Sequence, residues 1–432
     1  MLFKAVQHIK HNRDRIRRLS LEGGWITIGQ ICSVLGSIVL VRVLTEHLDP
    51  AQYGQLALGL TVVGLINLVV MGGIINGIGR FYSIAAEKQD LGGYLHASRR
   101  LLLYATLVVV AISLLLIIGL LWLGYTQWIA LAAAALVFSV LSTYNNALNG
   151  IQNAARQRAI VALHSGLNAW LNIGLVLGVM FWLGNSSTMV IIGYACSSLL
   201  MTLSQLVFLR RTIPAHQPQP KKDHQWISQM WAYSLPFSTW GVFTWIQQVS
   251  DRWALQNFVS TTEVGHYSVL FQLGFTPIAL LTGLVMSLLG PILYQRSGDA
   301  TDHARNAEVH HFSWRMTQIF LMVTLLGFAL TFFMHEWLFR LLVAAEYRGI
   351  SHFFPWVVLA GGLFAVGQML ALKLMSEMKS SSLTIVKIVT ALIGILCNVL
   401  GAAYAGMQGV VGALVVFSVI YFVWMTVIAR NT

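Results

Sequence analysis

The chain has 432 residues, of which 57% are apolar and only 10% charged, and it carries a formal net charge of +12. Soluble domains are about 25% charged, so this composition excludes a soluble enzyme or a soluble nucleic-acid-binding module. The apolar residues come in runs of about 20 or more, long enough to cross roughly 30 Å of hydrocarbon as helix. A backbone in lipid must satisfy its own polar groups, which makes such runs helices. The short alternating segments of an outer-membrane barrel are not the pattern here.

In chain order, the leading segment MLFKAVQHIKHNRDRIRRL has apolar residues at 2, 3, 6, 9, 16 and 19 with bases between them. It reads either as an amphipathic helix on an anionic leaflet or as a solvated basic tail that sets orientation. No cleavable signal peptide is expected, because the first apolar run, from Gly23, is a full-length span. Six spans are expected at 23–44, 55–78, 101–124, 127–149, 160–183 and 187–209. Six more are expected at 230–250, 267–294, 313–334, 353–376, 383–404 and 408–429. Pro277 and Pro291 make the eighth the likeliest span to kink or break, Pro236 should open the seventh, and Pro355 suits a first helical turn.

With the N-terminus placed in the cytoplasm, 23 of the 27 Lys and Arg fall on the cytoplasmic side, the exceptions being Arg42, Arg252, Arg340 and Arg348. That split predicts both termini inside. The polar stretch from Arg210 to Gln229, with PAHQPQPKKDH, reads as a central cytoplasmic linker. The expected organisation is a basic segment 1–22, a six-helix bundle 23–209, a linker 210–229 and a second bundle 230–432. Halves with an even number of spans are parallel repeats about an axis along the membrane normal. A faint echo supports this: LVRVLTEHLDPAQYGQLAL and SDRWALQNFVSTTEVGHYSVL pair Arg42 with Arg252 and, with one extra residue, Gly54 with Gly265.

The stretches LEGGWITIGQICSVLGSIVLVRVLTEHLDPAQYGQLAL, MGGIINGIGRFYSIAAEKQDLGGYL, NALNGIQNAARQRAIVAL and YSLPFSTWGVFTWIQQVSDRWAL resemble the O-antigen and exopolysaccharide flippases. These belong to the multidrug/oligosaccharidyl-lipid/polysaccharide exporter superfamily. The resemblance implies an all-α integral membrane protein, with two six-helix bundles around a central, water-filled, cationic cavity. It implies alternating access that carries an undecaprenyl-pyrophosphate-linked oligosaccharide from the cytoplasmic to the periplasmic leaflet of a bacterial inner membrane, with ion-gradient coupling in some relatives. The implied partners are that lipid-linked substrate, membrane lipids, and polysaccharide polymerase and export machinery; no nucleic acid is expected.

A pyrophosphate headgroup cannot enter hydrocarbon without partners, and Arg suits phosphate through its bidentate fork. An Arg at the bilayer centre costs about 2.5–3.5 kcal/mol on insertion scales, so one that is kept there is a functional candidate. Arg42 and Arg252 are the first choices, since the resemblance places arginines near this point in the cavity; the plainer reading of Arg42 is an interfacial side chain paired with Glu46. Asp251 is the ion-coupling candidate, on a face with Thr244 and Gln248, or else a helix-end partner of Arg252. Arg80, one turn from Asn76, is either a cavity-mouth residue or a topology marker.

Asn145, Asn149, Gln152 or Asn153, and Arg156 form one helical face, and Asn168 and Asn172 repeat the logic one span later. Both sets either line a cavity or hydrogen-bond between helices. Lys373, one turn from Glu377, is expected to reach the cytoplasm, as is Lys387. His164 and the adjacent pair His310–His311 show no metal-ligand spacing, and Cys32, Cys196 and Cys397 form no CxxC pair; neither metal nor cofactor is expected. The competing functions are a drug/cation antiporter of the same superfamily and a membrane polymerase or ligase. The latter is disfavoured because the external connections are short, at about twenty residues or fewer, and show no catalytic grouping.

Overall fold

The structure, a computed structural model, describes residues 2–212, 223–297, 302–377 and 380–430. Every regular element among them is helical. α1 (Leu2–His47) is followed by α2 (Pro50–Leu65), a π-helical turn Ile66–Met71 and α3 (Gly72–Glu87), which together make one continuous span. α4 (Leu91–Trp122), α5 (Ile129–Ala154), α6 (Arg158–Leu183) and α7 (Ser187–Thr212) complete the first half. The second half holds α8 (Asp223–Phe258), α9 (Thr261–Gly274), α10 (Thr276–Ser297), α11 (His303–Leu342), α12 (Phe354–Ser376) and α13 (Ser380–Arg430), with a 3₁₀ segment Ala345–Phe353 before α12.

Local chemistry sets the breaks. Asp49 caps α2 by accepting from the Gln52 amide at 2.7 Å, with Pro50 in the first turn, where its missing N–H costs nothing. Ser260 and Glu263 stand as a capping pair at the start of α9, the serine hydroxyl accepting from the Glu263 amide at 3.2 Å. The expected break in the eighth span falls at Phe275, two residues before Pro277, whereas the helix runs on through Pro291. Pro355 lies in the first turn of α12, as expected.

Pro236 does not open the seventh span. It sits inside α8, which starts at Asp223 and so takes up part of the stretch expected to be linker; residues 213–222 lie outside the described residues. α13 has 51 residues and would, as a straight helix, run about twice the thickness of a bilayer. It is broken at Ala405 (φ −138°) and Gly406, whose φ of +55° only glycine adopts cheaply. The Gly401 and Gly409 backbones lie against each other, so the two arms fold back as a helical hairpin.

Among the described residues, ten helices are long and apolar enough to cross a membrane, and the protein is a multi-pass membrane protein. α8 falls outside that set, and the α13 hairpin counts within it as one helix. The connections carrying the Lys and Arg excess define a basic end; the turns after α1, α4, α6, α8 and α11 lie at the opposite end. Within the first half α1 packs on α6, α5 on α7 and α6 on α7; within the second, α12 packs between α11 and α13. Between halves, α2 lies on α9, α3 on α8 and α1 on α10. Exchanging the halves turns the α3–α8 contact into the α10–α1 contact, the relation expected of parallel repeats.

Candidate transport site

The two halves meet most tightly at the opposite end. A Cβ added to Gly54 would overlap the Thr261 carbonyl oxygen, and one added to Gly265 would overlap that of Pro50. The two glycines that align in the sequence echo therefore form one backbone-to-backbone crossing of α2 and α9. An apolar core closes over it, with Val41, Leu44 and Leu56 from the first half and Leu255, Val264 and Phe339 from the second. Three hydrogen bonds join the α1–α2 turn to the segment after α11: Arg42 donates to the Val343 carbonyl, the Ala344 amide to Thr45 Oγ1 at 3.2 Å, and the Tyr347 hydroxyl to the Leu48 carbonyl at 2.9 Å. Arg42 also pairs with Glu46 one turn on. Its guanidinium is thus held in the seal between the halves.

Arg252 stands elsewhere. Its guanidinium lies 4.8 Å from the centre of the Phe271 ring and 3.4 Å from Asp251 Oδ1, and donates to the Gln248 carbonyl at 3.1 Å. Asp251 is buried and accepts from the Tyr267 hydroxyl at 2.7 Å. These contacts are internal to the second half, between α8 and α9. Gln248 itself is exposed.

Towards the basic end, α3 uses three of its faces for packing. Gly73 and Gly77 lie against Ser234 and Met230 of α8, Ile78 accepts from the Tyr94 hydroxyl of α4 at 2.7 Å, and Ile75 meets Gly150 of α5. The remaining face carries Asn76 and Arg80, both exposed. The other candidates form helix-to-helix bonds inside the first half. Gln205 of α7 donates to Asn145 at 2.6 Å and to Asn149 at 3.0 Å, Ser197 donates to Asn168 at 3.2 Å, and Asn153 accepts from Arg158 at 2.8 Å. Asn172 is half-buried one turn beyond Asn168, and Arg156 is exposed in a left-handed turn (φ +60°) that ends α5. Of the two readings left open for these stripes, the structure displays interhelical hydrogen bonding for Asn145, Asn149 and Asn168, the polar contact that lipid surroundings favour.

The model of the polysaccharide biosynthesis protein family matches residues 21–296. The chain belongs to that family. No curated protein matches it significantly. Among solved structures it is similar to the lipid II flippase MurJ in an inward closed conformation, with a TM-score of 0.72 at 12% identity, covering 95% of this chain and 87% of that one. It is also similar to a multidrug resistance MATE family transporter of the MOP superfamily. The inward-facing form gives a TM-score of 0.65 at 15% identity, covering 93% and 95%, and the outward-facing form 0.60 at 16%, covering 95% and 96%. Such low identities speak for the fold alone: this polysaccharide biosynthesis protein has the fold of MOP superfamily transporters.

Several residues of this family member carry more than their sequence neighbourhoods suggest. Asn67, in the π turn, accepts from Thr143 at 2.7 Å, in the kind of irregular helix that often marks a working site. Trp245 and Trp253 both donate to Thr61, at 2.8 and 3.1 Å, tying α8 to α2; two tryptophans eight residues apart on one helical face are the readable signal. Lys373 corrects an expectation. It does not reach the cytoplasm but is fully buried, with Nζ donating to the Ala429 carbonyl at 2.7 Å and 3.3 Å from Glu377.

The Asp251 site yields one direct expectation. Tyr267→Phe removes a buried donor to a carboxylate and should cost about 1–3 kcal/mol of stability, read as a lowered thermal midpoint in detergent. A melt unchanged from wild type would show that the bond contributes nothing.

Proposed function

We propose that this protein is a flippase that moves an undecaprenyl-pyrophosphate-linked oligosaccharide, an O-antigen or exopolysaccharide repeat unit, across the bacterial cytoplasmic membrane. The closure of the opposite end carries the reading. Two repeat-related halves seal across one end through a glycine crossing and three hydrogen bonds, an arrangement that can open without unfolding either half. The family match and the fold support it. With the positive-inside orientation, the sealed end is periplasmic. The twelve crossings of this reading are the ten apolar helices, α8, and the second arm of α13. Transport is driven by an ion gradient, with Asp251 as the coupling candidate.

In this state Arg80 and Asn76 offer an exposed polar face towards the basic end, and they would meet the pyrophosphate first. Arg252 and Gln248 lie deeper on the route. Arg42 would exchange its Val343 and Glu46 partners for substrate once the seal opens.

Reconstitution with a labelled undecaprenyl-pyrophosphate oligosaccharide tests this. Wild type should transfer the label between leaflets, and Arg80→Ala or Arg252→Ala should each slow transfer about tenfold or more, the worth of one charge-assisted contact. A double variant Arg42→Ala, Arg252→Ala that transfers normally at wild-type abundance sinks the site assignment. No transfer by wild type, with robust efflux of an organic cation, would instead identify a drug/cation antiporter.

A further inference from the structure

α11 and the second arm of α13 both pack along α12, which leaves a groove between them near the basic end of the second half. Its volume is about 520 Å³. The wall is graded in polarity. His310, His311 and Arg430 gather towards the basic end, while Gln318, Leu321 and Phe422 lie farther along the helices. Trp314 stands between them, its ring 5.8 Å from the Arg430 guanidinium and 6.1 Å from the His310 ring.

Beyond Leu321 and Phe422 the helices bordering the groove expose Met322, Leu325 and Val419, the apolar surface that meets hydrocarbon. Arg315, exposed one turn from His311, adds a further positive charge. Below the groove the Lys373–Glu377 pair is buried, and its charges offset each other.

A second feature marks this groove. Hydroxyls on helices in this protein usually bond back one turn, as Thr317 does to the Ser313 carbonyl at 2.8 Å on the facing wall. Thr426 Oγ1 lines the groove, is buried, and has no hydrogen-bond partner among the described residues. A buried hydroxyl without a partner costs free energy, and an oxygen-rich ligand in the groove would satisfy it.

We propose that this groove holds an anionic phospholipid of the adjacent leaflet, its phosphate on Arg430 and the His310–His311 pair and its acyl chain along Leu321 and Phe422. Basic pockets between transmembrane helices recognise lipid headgroups in this way. Arg supplies the fork, the imidazoles supply N–H donors, and Trp314 fixes depth as interfacial tryptophans do. The lipid is a resident of the second half rather than the cargo, since every residue lining the groove lies on α11 or α13. A free phosphate ion would leave the apolar half of the groove unused, so the observations favour the whole amphiphile.

The test uses the full-length, delipidated protein, titrated with phosphatidylglycerol or with phosphatidylcholine of the same acyl chains and read by native mass spectrometry. Wild type should bind phosphatidylglycerol at least about tenfold more tightly. Arg430→Gln, and separately His310→Gln with His311→Gln, should remove most of that preference, again the scale of one charge-assisted contact. Arg99→Gln, a neutralised exposed base on α4, should leave it intact. Thr426→Val keeps every charge and should still weaken binding, which guards against a variant that merely misfolds. The proposal is overturned if the preference survives in Arg430→Gln with an unchanged thermal melt. It is likewise overturned if inorganic phosphate alone competes as well as the lipid does.

Discussion

Gly54→Val should hold the opposite end open. A Cβ at residue 54 lands on the Thr261 carbonyl oxygen, and further methyls would meet the Gly265 backbone. Backbone atoms on two crossing helices cannot rotate away as a side chain can, so the helices must separate. Overpacking of this kind costs about 1–3 kcal/mol, occasionally more, and here the cost falls only on the closed state. A penalty of about 2 kcal/mol shifts a two-state equilibrium roughly thirtyfold.

Spin labels at Asn185 and Arg348, exposed on opposite halves at this end, should report a longer distance in the variant, with transport slowed because the cycle cannot close. Gly265→Val should reproduce the effect from the other half. Gly178→Val is the control, because nothing lies within 4 Å of its added Cβ. Distance distributions identical to wild type in both crossing variants would show that the glycine contact is not the seal.

The same crossing shows how far the sequence reaches. Hydropathy located the helices because burying a helix in lipid demands long apolar runs. The alignment that matched Arg42 with Arg252 also matched, with one extra residue in the second half, Gly54 with Gly265, and the glycines do meet. The arginines do not share an environment. Arg42 donates across to the other half, whereas Arg252 lies against Phe271 and Asp251 of its own. Matching places in two repeats specify backbone position, while the partner of a long side chain depends on which turn of the other half arrives there, and among the described residues the segment after α11 has no counterpart after α4 bonded across the halves.

Span seven misled for a related reason. α8 contacts both halves through Trp245, Trp253, Ser234 and Ser250, so its surface is less apolar than that of a lipid-facing helix, and Pro236 can sit within it. The polar stripes of spans four and five left two readings open because cavity lining and interhelical bonding demand the same residues at the same spacing. What separates them is the facing residue, Gln205, which no local pattern pairs with Asn145.

Lys373 is where a local reading failed most plainly, and it sets the largest stability effect expected in the chain. A lysine near a helix end ordinarily extends its stem and keeps its ammonium in water. Here the neighbouring arm of α13 closes over it. Lys373 Nζ instead donates to the carbonyl of Ala429, in the last turn of that helix, where carbonyls lack intrahelical partners and the helix end carries partial negative charge. Glu377 completes the arrangement at 3.3 Å.

Lys373→Met keeps the apolar stem but removes the ammonium 3.3 Å from the buried Glu377 carboxylate and the hydrogen bond that Lys373 donates to the Ala429 carbonyl. Removing one partner of a buried pair costs about 3–5 kcal/mol, more than the intact pair contributes, because the remaining charge has been taken from water without compensation. The variant should melt far below wild type in detergent and accumulate poorly. Adding Glu377→Gln removes the stranded charge and should restore most of the loss. That recovery separates an electrostatic cause from a packing defect, since both variants carry the same methionine. A single variant within about 1 kcal/mol of wild type would mean that the pair is solvated, and that the basic end of the second half is looser than the contacts of Lys373 indicate.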